Sequence, residues 1–395
     1  MKNKIILPAL MIKQPIGELY IAKAKASEIL GMTYADIRAI SESYRETYLG
    51  IQRKLDPRRE REIAKYVKNV DATFPTSIVV YIDEEHIDIE KNGDHGAVNI
   101  TIYNIDDKIA KIIDGQHRLA GLQKAIDDAG EKVNRDGMFD EGASEELRKL
   151  EDFEVSLTIL IGMDIAEQAN VFSKVNLTQT KVNKSLVYDL EEYSKIKAPY
   201  KTAHNVVVAL NSTKESPFYK KIKRLGYVQF GEEIITQQTI VEALTKLFLS
   251  SDPEADRDTY SRNQEIRFTN KDLEQLPFRK LFADGKDIDI AKIMFNYFTA
   301  VQKRWPTAWG NKDYLLSKNS AFRALMKYLR DVYLQLNRNN FEYIPTVQEF
   351  SDILAKQKIK DEEFTSEHFK MGEMGMNDIY KLLSTQMSYE EFIKR

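Results

Sequence analysis

The chain has 395 residues, 43% hydrophobic and 30% charged, the balance of a globular protein with room for two domains. A formal net charge of −3 excludes binding to nucleic acid by overall charge, so any such binding must use a local basic patch. The absence of cysteine excludes disulfides, iron–sulfur clusters, Cys-ligated zinc and thiol catalysis, and points to a reducing cytoplasm. Lys2 and Lys4 precede a short apolar run at residues 5–12. Lys13 follows at once and no small-residue cleavage site is well placed, so the run is expected to be an edge strand rather than a signal peptide. No apolar run approaches the ~18 residues of a membrane span.

Residues 34–40 fit a helix, and residues 57–67 carry a second helical signal. In the second, Pro57 suits the first helical position and Asp56 can cap it. Ile63 and Val67 are four apart, so one side is apolar and the arginines point mostly elsewhere. Strand signals dominate residues 74–113. Residues 77–82 form a β-branched run, Asn92-Gly93-Asp94 marks a turn, and Val98, Ile100 and Ile102 alternate with Asn99, Thr101 and Tyr103. Residues 108–113 read as a strand that passes into a helix over 115–130. Residues 136–142 read as an exposed loop and 155–161 as a strand. Asp164 and Glu167 form a capping box, for a helix with Ile165, Ala169 and Phe172 on one face. Val182, Leu186 and Leu190 line the next helix. From about residue 200 the pattern turns helical, at 204–210, 240–249, 288–304, 321–336 and 347–356. The expected architecture is an α/β domain over residues 1–200 and a mainly α-helical domain over 201–395.

The turn Asp114-Gly115-Gln116-His117-Arg118 joins a strand to a helix through a glycine. Such a turn leaves backbone N–H groups and the positive end of the helix dipole facing a cleft, a setting that favours phosphate. Arg118 offers a planar fork for phosphate oxygens, and Asp114 can cap the helix, hold a metal or orient a water. The bland alternative is a structural turn in which Asp114 caps and Arg118 makes a salt bridge. Asn176, Thr178, Gln179 and Lys181 follow a strand expected in the same sheet, and loops at strand carboxyl ends converge on ligands. Among the basic residues of 53–65, Arg53 is the one placed to reach a ligand, since Glu60 and Glu62 make the rest read as a solvated face. Lys220, Lys221, Lys223 and Arg224 beside Tyr219 suit a nucleic-acid backbone. Twenty Tyr and eighteen Phe either pack the core or form a base-stacking surface. Trp305 and Trp309 around Pro306 fit a packed helix end better than a base site. The five histidines have no pair at metal-ligand spacing.

Together these residues resemble the DGQHR-domain family, which includes DndB-like proteins of DNA-modification and phage-defence systems. The likeness extends over Gln14-Pro15-Ile16-Gly17, Gln52-Arg53, the helix at 57–67 and the run from Phe74-Pro75-Thr76 to Val80. It continues at Phe172-Ser173-Lys174-Val175-Asn176 with Thr178 and Ser185, at Leu210-Asn211 and Ser216-Pro217-Phe218 with Ile222 and Thr236, and at Trp305-Pro306 with Trp309. One departure, Ser317 to Phe322, lacks a glycine expected before the aromatic and bears on the shape of the helical half. The resemblance implies a ParB/sulfiredoxin-like core in which Gly115, Gln116, His117 and Arg118 cradle a phosphate, flanked by Arg53 and by residues 176–181.

Two functions fit. One is a cytoplasmic DNA-binding regulatory or accessory protein of a modification or defence system, with DNA, a nucleotide and the system's other proteins as partners, and a homo-oligomer admitted. The other is a nucleoside triphosphatase using ATP or another triphosphate with Mg²⁺. There Asp114, His117 and Arg118 would be catalytic and Asp114 the metal ligand.

Overall fold

In a computed structural model the β-branched runs of the first half form one mixed sheet of eight strands. Its strands in chain order are β1 (Lys4–Gln14), β2 (Gly17–Lys25), β3 (Thr33–Tyr34), β6 (Ile78–Ile82), β7 (Ile87–Lys91), β8 (Ala97–Tyr103), β9 (Ala110–Asp114) and β10 (Glu154–Ile161). β4 (Ala39–Ser41) and β5 (Thr47–Leu49) make a separate hairpin. The order across the sheet is β3-β9-β6-β10-β2-β1-β8-β7. The structure describes residues 3–37, 39–41, 47–49, 52, 55–93, 95–136, 141–177, 184–193, 198–226, 228, 231–250, 252, 255–257, 259 and 264–394. The chain divides into two units, Met1–Gln179 and Thr180–Arg395.

One face of the sheet packs on helices α1 (Ala26–Met32), α2 (Pro57–Tyr66), α3 (Gln116–Asp136) and α4 (Glu141–Glu151). Ile78, Val80 and Ile82 of β6 meet Ile100 and Ile102 of β8, Leu157 and Ile159 of β10, and Leu119, Leu122 and Ala125 of α3 in one core. Burial of this apolar area drives the unit together. β1 is a strand, but an interior one, hydrogen-bonded to β2 on one side and β8 on the other. Its Leu7 and Ala9 enter the core while Ile6 and Leu10 stay exposed. An alternation of that kind fixes which face is buried, not whether an edge is paired. Asp56 caps α2 by accepting from the Arg58 N–H at 2.9 Å, with Pro57 at the first helical position. The capping box at Asp164 and Glu167 starts α5 (Ile165–Leu177), through Glu167 N–H to Asp164 at 3.0 Å and Asp164 N–H to Glu167 at 2.9 Å. Ala169 and Phe172 are buried as expected, whereas Ile165 is exposed in the first turn. α4 has only two buried residues, Ala143 and Leu150, too faint a stripe to announce a helix in the sequence.

The second unit is mainly helical. It contains α6 (Lys184–Asp189), α7 (Pro199–Ser212), α8 (Gln237–Thr245), α9 (Asn270–Gln275), α10 (Arg279–Ala283), α11 (Asp287–Arg304), α12 (Asn319–Leu336), α13 (Val347–Leu354), α14 (Glu373–Thr385) and α15 (Tyr389–Ile393). A two-residue parallel ladder pairs β11 (Ile222–Lys223) with β12 (Ile235–Thr236). Many aromatics pack inward here. Phe298 stacks on Phe322 at 5.2 Å, and Phe218 meets Phe298 edge-on at 4.9 Å. Trp305 ends α11 fully buried, its indole N–H donating to the Ile359 carbonyl at 3.1 Å. No helix of the described residues is long and apolar enough to cross a membrane.

One basic residue assigned to a surface belongs to this core instead. Arg224 is 1% exposed, and its guanidinium donates to Asp189, itself 0% exposed, at 2.6 Å. A nearby Gln237 oxygen accepts from Arg224 Nε at 3.4 Å. A charge at that depth persists only when paired, so Arg224 is out of reach of a surface ligand. Arg224→Ala is expected to lower the unfolding free energy by about 3–5 kcal/mol, because Asp189 loses its countercharge. Lys223→Ala should leave stability nearly unchanged, and denaturant unfolding of both variants checks the contrast.

Candidate phosphate-binding site

β9 runs antiparallel to β6, with Val79 opposite Asp114 but Val80 opposite Ile112, so Ile113 is the extra residue of a β-bulge. A bulge bends the strand and redirects the side chains beyond it. On the other side of β9, β3 pairs only with Ala110 and Lys111. The carbonyls of Ile112 and Ile113 therefore need another donor. The side-chain amide of Gln52, 1% exposed, supplies both, at 2.8 and 2.6 Å. Buried carbonyls left without a donor would be costly, so Gln52 fixes the bulge.

The chain then turns at Gly115, with a φ of +98°. A Cβ there would lie 2.5 Å from Ile78 Cδ1 and 3.2 Å from a terminal nitrogen of Arg118. Both the dihedral and the space demand glycine. The Gly115 carbonyl accepts the Leu119 N–H at 3.0 Å and opens α3.

Arg118 faces back across this turn. One terminal nitrogen donates to the Thr76 carbonyl and, at 2.8 Å, to the Thr76 hydroxyl. The other donates to the Ser77 carbonyl at 3.1 Å and to Asp114 Oδ2 at 3.0 Å. Burial pulls the guanidinium pKa below its ordinary value, and the Asp114 carboxylate opposes that shift. The salt bridge of the bland reading is thus present, and it ties the approach to β6, the end of β9 and the start of α3 into one knot.

His117 is 8% exposed, and its Nε2 accepts the Asp56 backbone N–H at 3.1 Å. A nitrogen that accepts carries no proton, so in the neutral ring the proton is assigned to Nδ1. This bond brings the start of α2 against the start of α3. The Arg58 N–H holds the Asp56 carboxyl below the usual carboxylate range.

A pocket of about 240 Å³ lies at this junction. Asp114, Gly115, Gln116, His117 and Arg118 all line it, with Gln52, Thr76, Arg59 and Ile63 of α2, and Phe172 of α5. The five turn residues are therefore gathered in one place. Arg53, Thr178, Gln179 and Lys181 lie outside the described residues, and Asn176 falls in the last turn of α5. Lys220, Lys221 and Lys223 belong to the other unit: Lys220 is exposed, the other two half-buried. The Lys220 ammonium lies 5.6 Å over the Tyr219 ring.

Two residues missed by the sequence reading complete the pocket. Gln52 stands inside the Gln52-Arg53 signature, next to the residue that drew attention for its charge. Arg59 reads as part of a solvated helix face, yet its position three residues after the cap turns it inward, while Arg58 pairs outward with Glu62 at 2.9 Å. The Arg59 guanidinium makes no hydrogen bond or ion pair with any described residue. Among the described residues no group of three His, Cys, Asp or Glu is placed to hold a metal. A Mg²⁺ at Asp114 would therefore draw its other ligands from phosphate oxygens and water, as Mg²⁺ commonly does.

Gly115→Ala is expected to cost about 2 kcal/mol or more, through the positive φ and the clash with Ile78. Arg118→Ala should cost about 2–4 kcal/mol, since it strips partly buried acceptors of a charged donor. Denaturant midpoints of the two variants against wild type measure both.

The family model for DndB, described as DNA-sulfur modification-associated, matches residues 7–350. No curated protein and no solved structure matches the chain. The matched span takes in the Gln52 amide, the Asp114–Arg118 turn and the aromatic core of the second unit, and the chain belongs to the DndB family of DNA-sulfur modification-associated proteins.

Proposed function

We propose that this DndB-family protein is a nucleic-acid-binding regulatory or accessory component of its modification system, and that the pocket at residues 114–118 takes a phosphate group. The observation that carries the reading is Arg59. It places an uncommitted guanidinium at a pocket that also receives the N-terminus of α3, a 21-residue helix whose dipole favours an anion. Arg118 would hold the turn in shape rather than grip the ligand. The first unit would be a ParB/sulfiredoxin-like core, an expectation supported by the strand–glycine–helix turn and its basic residues. In the second unit, Lys220, Lys221 and Lys223 would meet a nucleic-acid backbone. The system's other proteins would be its partners in the cytoplasm.

Asp114 favours a second reading, hydrolysis of a nucleoside triphosphate. Its Oδ2 is held by Arg118 while Oδ1 makes no hydrogen bond with a described residue, so one carboxylate oxygen at the pocket wall remains for a metal or a water. Under this reading Asp114→Asn keeps nucleotide affinity and loses turnover. A wild type with no turnover above a metal-only blank removes it.

Calorimetric titration of ATP, GTP and CTP with Mg²⁺ tests the pocket. Arg59→Ala is the informative variant, since Arg118→Ala also loosens the turn. At least a tenfold loss of affinity in Arg59→Ala is expected, with an unchanged unfolding midpoint. If Arg59→Ala binds the wild-type's nucleotide equally well, the pocket is not the site. For the second unit, Lys220→Ala/Lys221→Ala should weaken duplex DNA binding and reduce the slope of log K against log salt by about 0.9 per lost phosphate contact. An unchanged slope would remove that surface.

A further inference from the structure

The second unit holds a larger cavity, of about 860 Å³, of which the reading above uses only Lys223. Its wall carries Lys223, Lys246, Lys312, Lys318, Arg323 and Lys370 against two carboxylates, Glu233 and Glu373. Arg323 is paired with Glu242 at 3.2 Å, and Lys312 donates to the Gly231 carbonyl at 2.9 Å. The ammonium groups of Lys223, Lys246, Lys318 and Lys370 make no hydrogen bond or ion pair with any described residue. Like charges gathered in a concave wall repel one another, and the two carboxylates of the wall are too few to offset four unpaired lysines.

Two helices also begin at this wall. The 18-residue α12 starts after Lys318 and the 13-residue α14 starts after Gly372, and neither has a side-chain cap. The Gly372 N–H donates to the Ser320 hydroxyl at 3.0 Å, which fastens the two starts together. No acidic residue lies in the first turn of α12, and its cap position is a lysine, the unfavourable sign for the positive end of a helix dipole. Acidic residues are the ordinary occupants of such a turn. The wall is therefore short of negative charge at its lysines and at the start of α12, whereas α14 carries Glu373 in its first turn.

We infer that this cavity is a binding site for the phosphates of a nucleotide or nucleic-acid strand, with Lys318 and Lys370 at the helix starts as the principal contacts. One carboxylate would leave most of the wall unneutralised, so the ligand must carry several negative charges. Val228 and Met371 are exposed on the same wall, with half-buried Met376 beside them, and they offer apolar surface to a nucleoside. The ligand is part polyanion and part apolar, as nucleotides are. The site rests on the reading of the protein as nucleic-acid-binding, and adds a location and a ligand class to it.

The test compares wild type with Lys318→Ala/Lys370→Ala and Lys318→Arg/Lys370→Arg. A labelled DNA duplex is followed by anisotropy, and ATP and inorganic phosphate by calorimetry. Each titration is repeated with Arg59→Ala present, so that the share of the first unit's pocket is known separately. The alanine pair is expected to weaken binding of duplex or ATP at least tenfold, and the arginine pair to restore it. Loss confined to the duplex assigns the phosphates to nucleic acid, and loss confined to ATP assigns them to a free nucleotide. Equal binding of every probe by wild type and the alanine pair overturns the site, as does loss confined to inorganic phosphate. A wild type that binds no duplex defeats the nucleic-acid reading alone, and the ATP arm still judges the cavity. If it binds neither duplex nor ATP, both fall.

Discussion

The first unit depends on how Arg118 spends its hydrogen bonds. Four donations from one guanidinium, to Thr76 twice, to Ser77 and to Asp114, tie the strand-to-helix turn to a segment some forty residues before it. Gly115 makes that reach geometrically available, and the Gln52 amide holds the bulge that precedes it. Each part supplies what another lacks. The bulge leaves carbonyls that Gln52 satisfies, the glycine passes under Ile78 without a clash, and the arginine offsets the carboxylate that ends the strand. An arginine so occupied is a poor ligand clamp, because gripping a phosphate would mean giving up partners that hold the turn.

Charge in the pocket must then come from elsewhere, and Arg59 is placed to provide it. Its neighbours on α2 divide the work by helical spacing. Arg58 faces outward to Glu62, and one residue of rotation carries Arg59 toward the turn. His117 fastens the two helix starts through the Asp56 N–H, so the position of Arg59 is tied to the same knot that Arg118 makes. Binding and architecture thus fall to different arginines standing close together.

The second unit divides its basic residues in the same way. The second unit buries Arg224 on Asp189 and Arg279 on Asp256 at 2.6 Å each, with every member of both pairs under a tenth exposed. Such pairs add little net stability yet penalise any arrangement that separates them, so they hold the helices in one packing. The same unit leaves four lysines of one cavity wall without a hydrogen-bond or ion-pair partner among the described residues. Charges serving the fold are paired and dry, whereas charges available to a ligand stay half-solvated and unpaired.

The sequence by itself determined the elements whose physics is local. Periodicity located β6, β8 and β10, the capping residues placed the starts of α2 and α5, and the tryptophans marked the end of α11, because the atoms that decide each of these lie within a few residues. The turn at 114–118 was legible for the same reason, as a glycine between a strand and a helix. Tertiary structure alone decided what the charged residues do. Nothing local separates Lys223 from Arg224, and the i+4 spacing that gives Arg58 its Glu62 leaves open what Arg59 faces. One of each pair meets a carboxylate and the other faces a cavity, and for Arg224 that carboxylate lies 35 positions away. β1 shows the same limit: its alternation revealed a buried face, but the partner on its second edge, β8, arrives some ninety residues later. Long-range pairing decides such positions, because the free energy of a charge or of a strand edge depends on what the fold brings beside it.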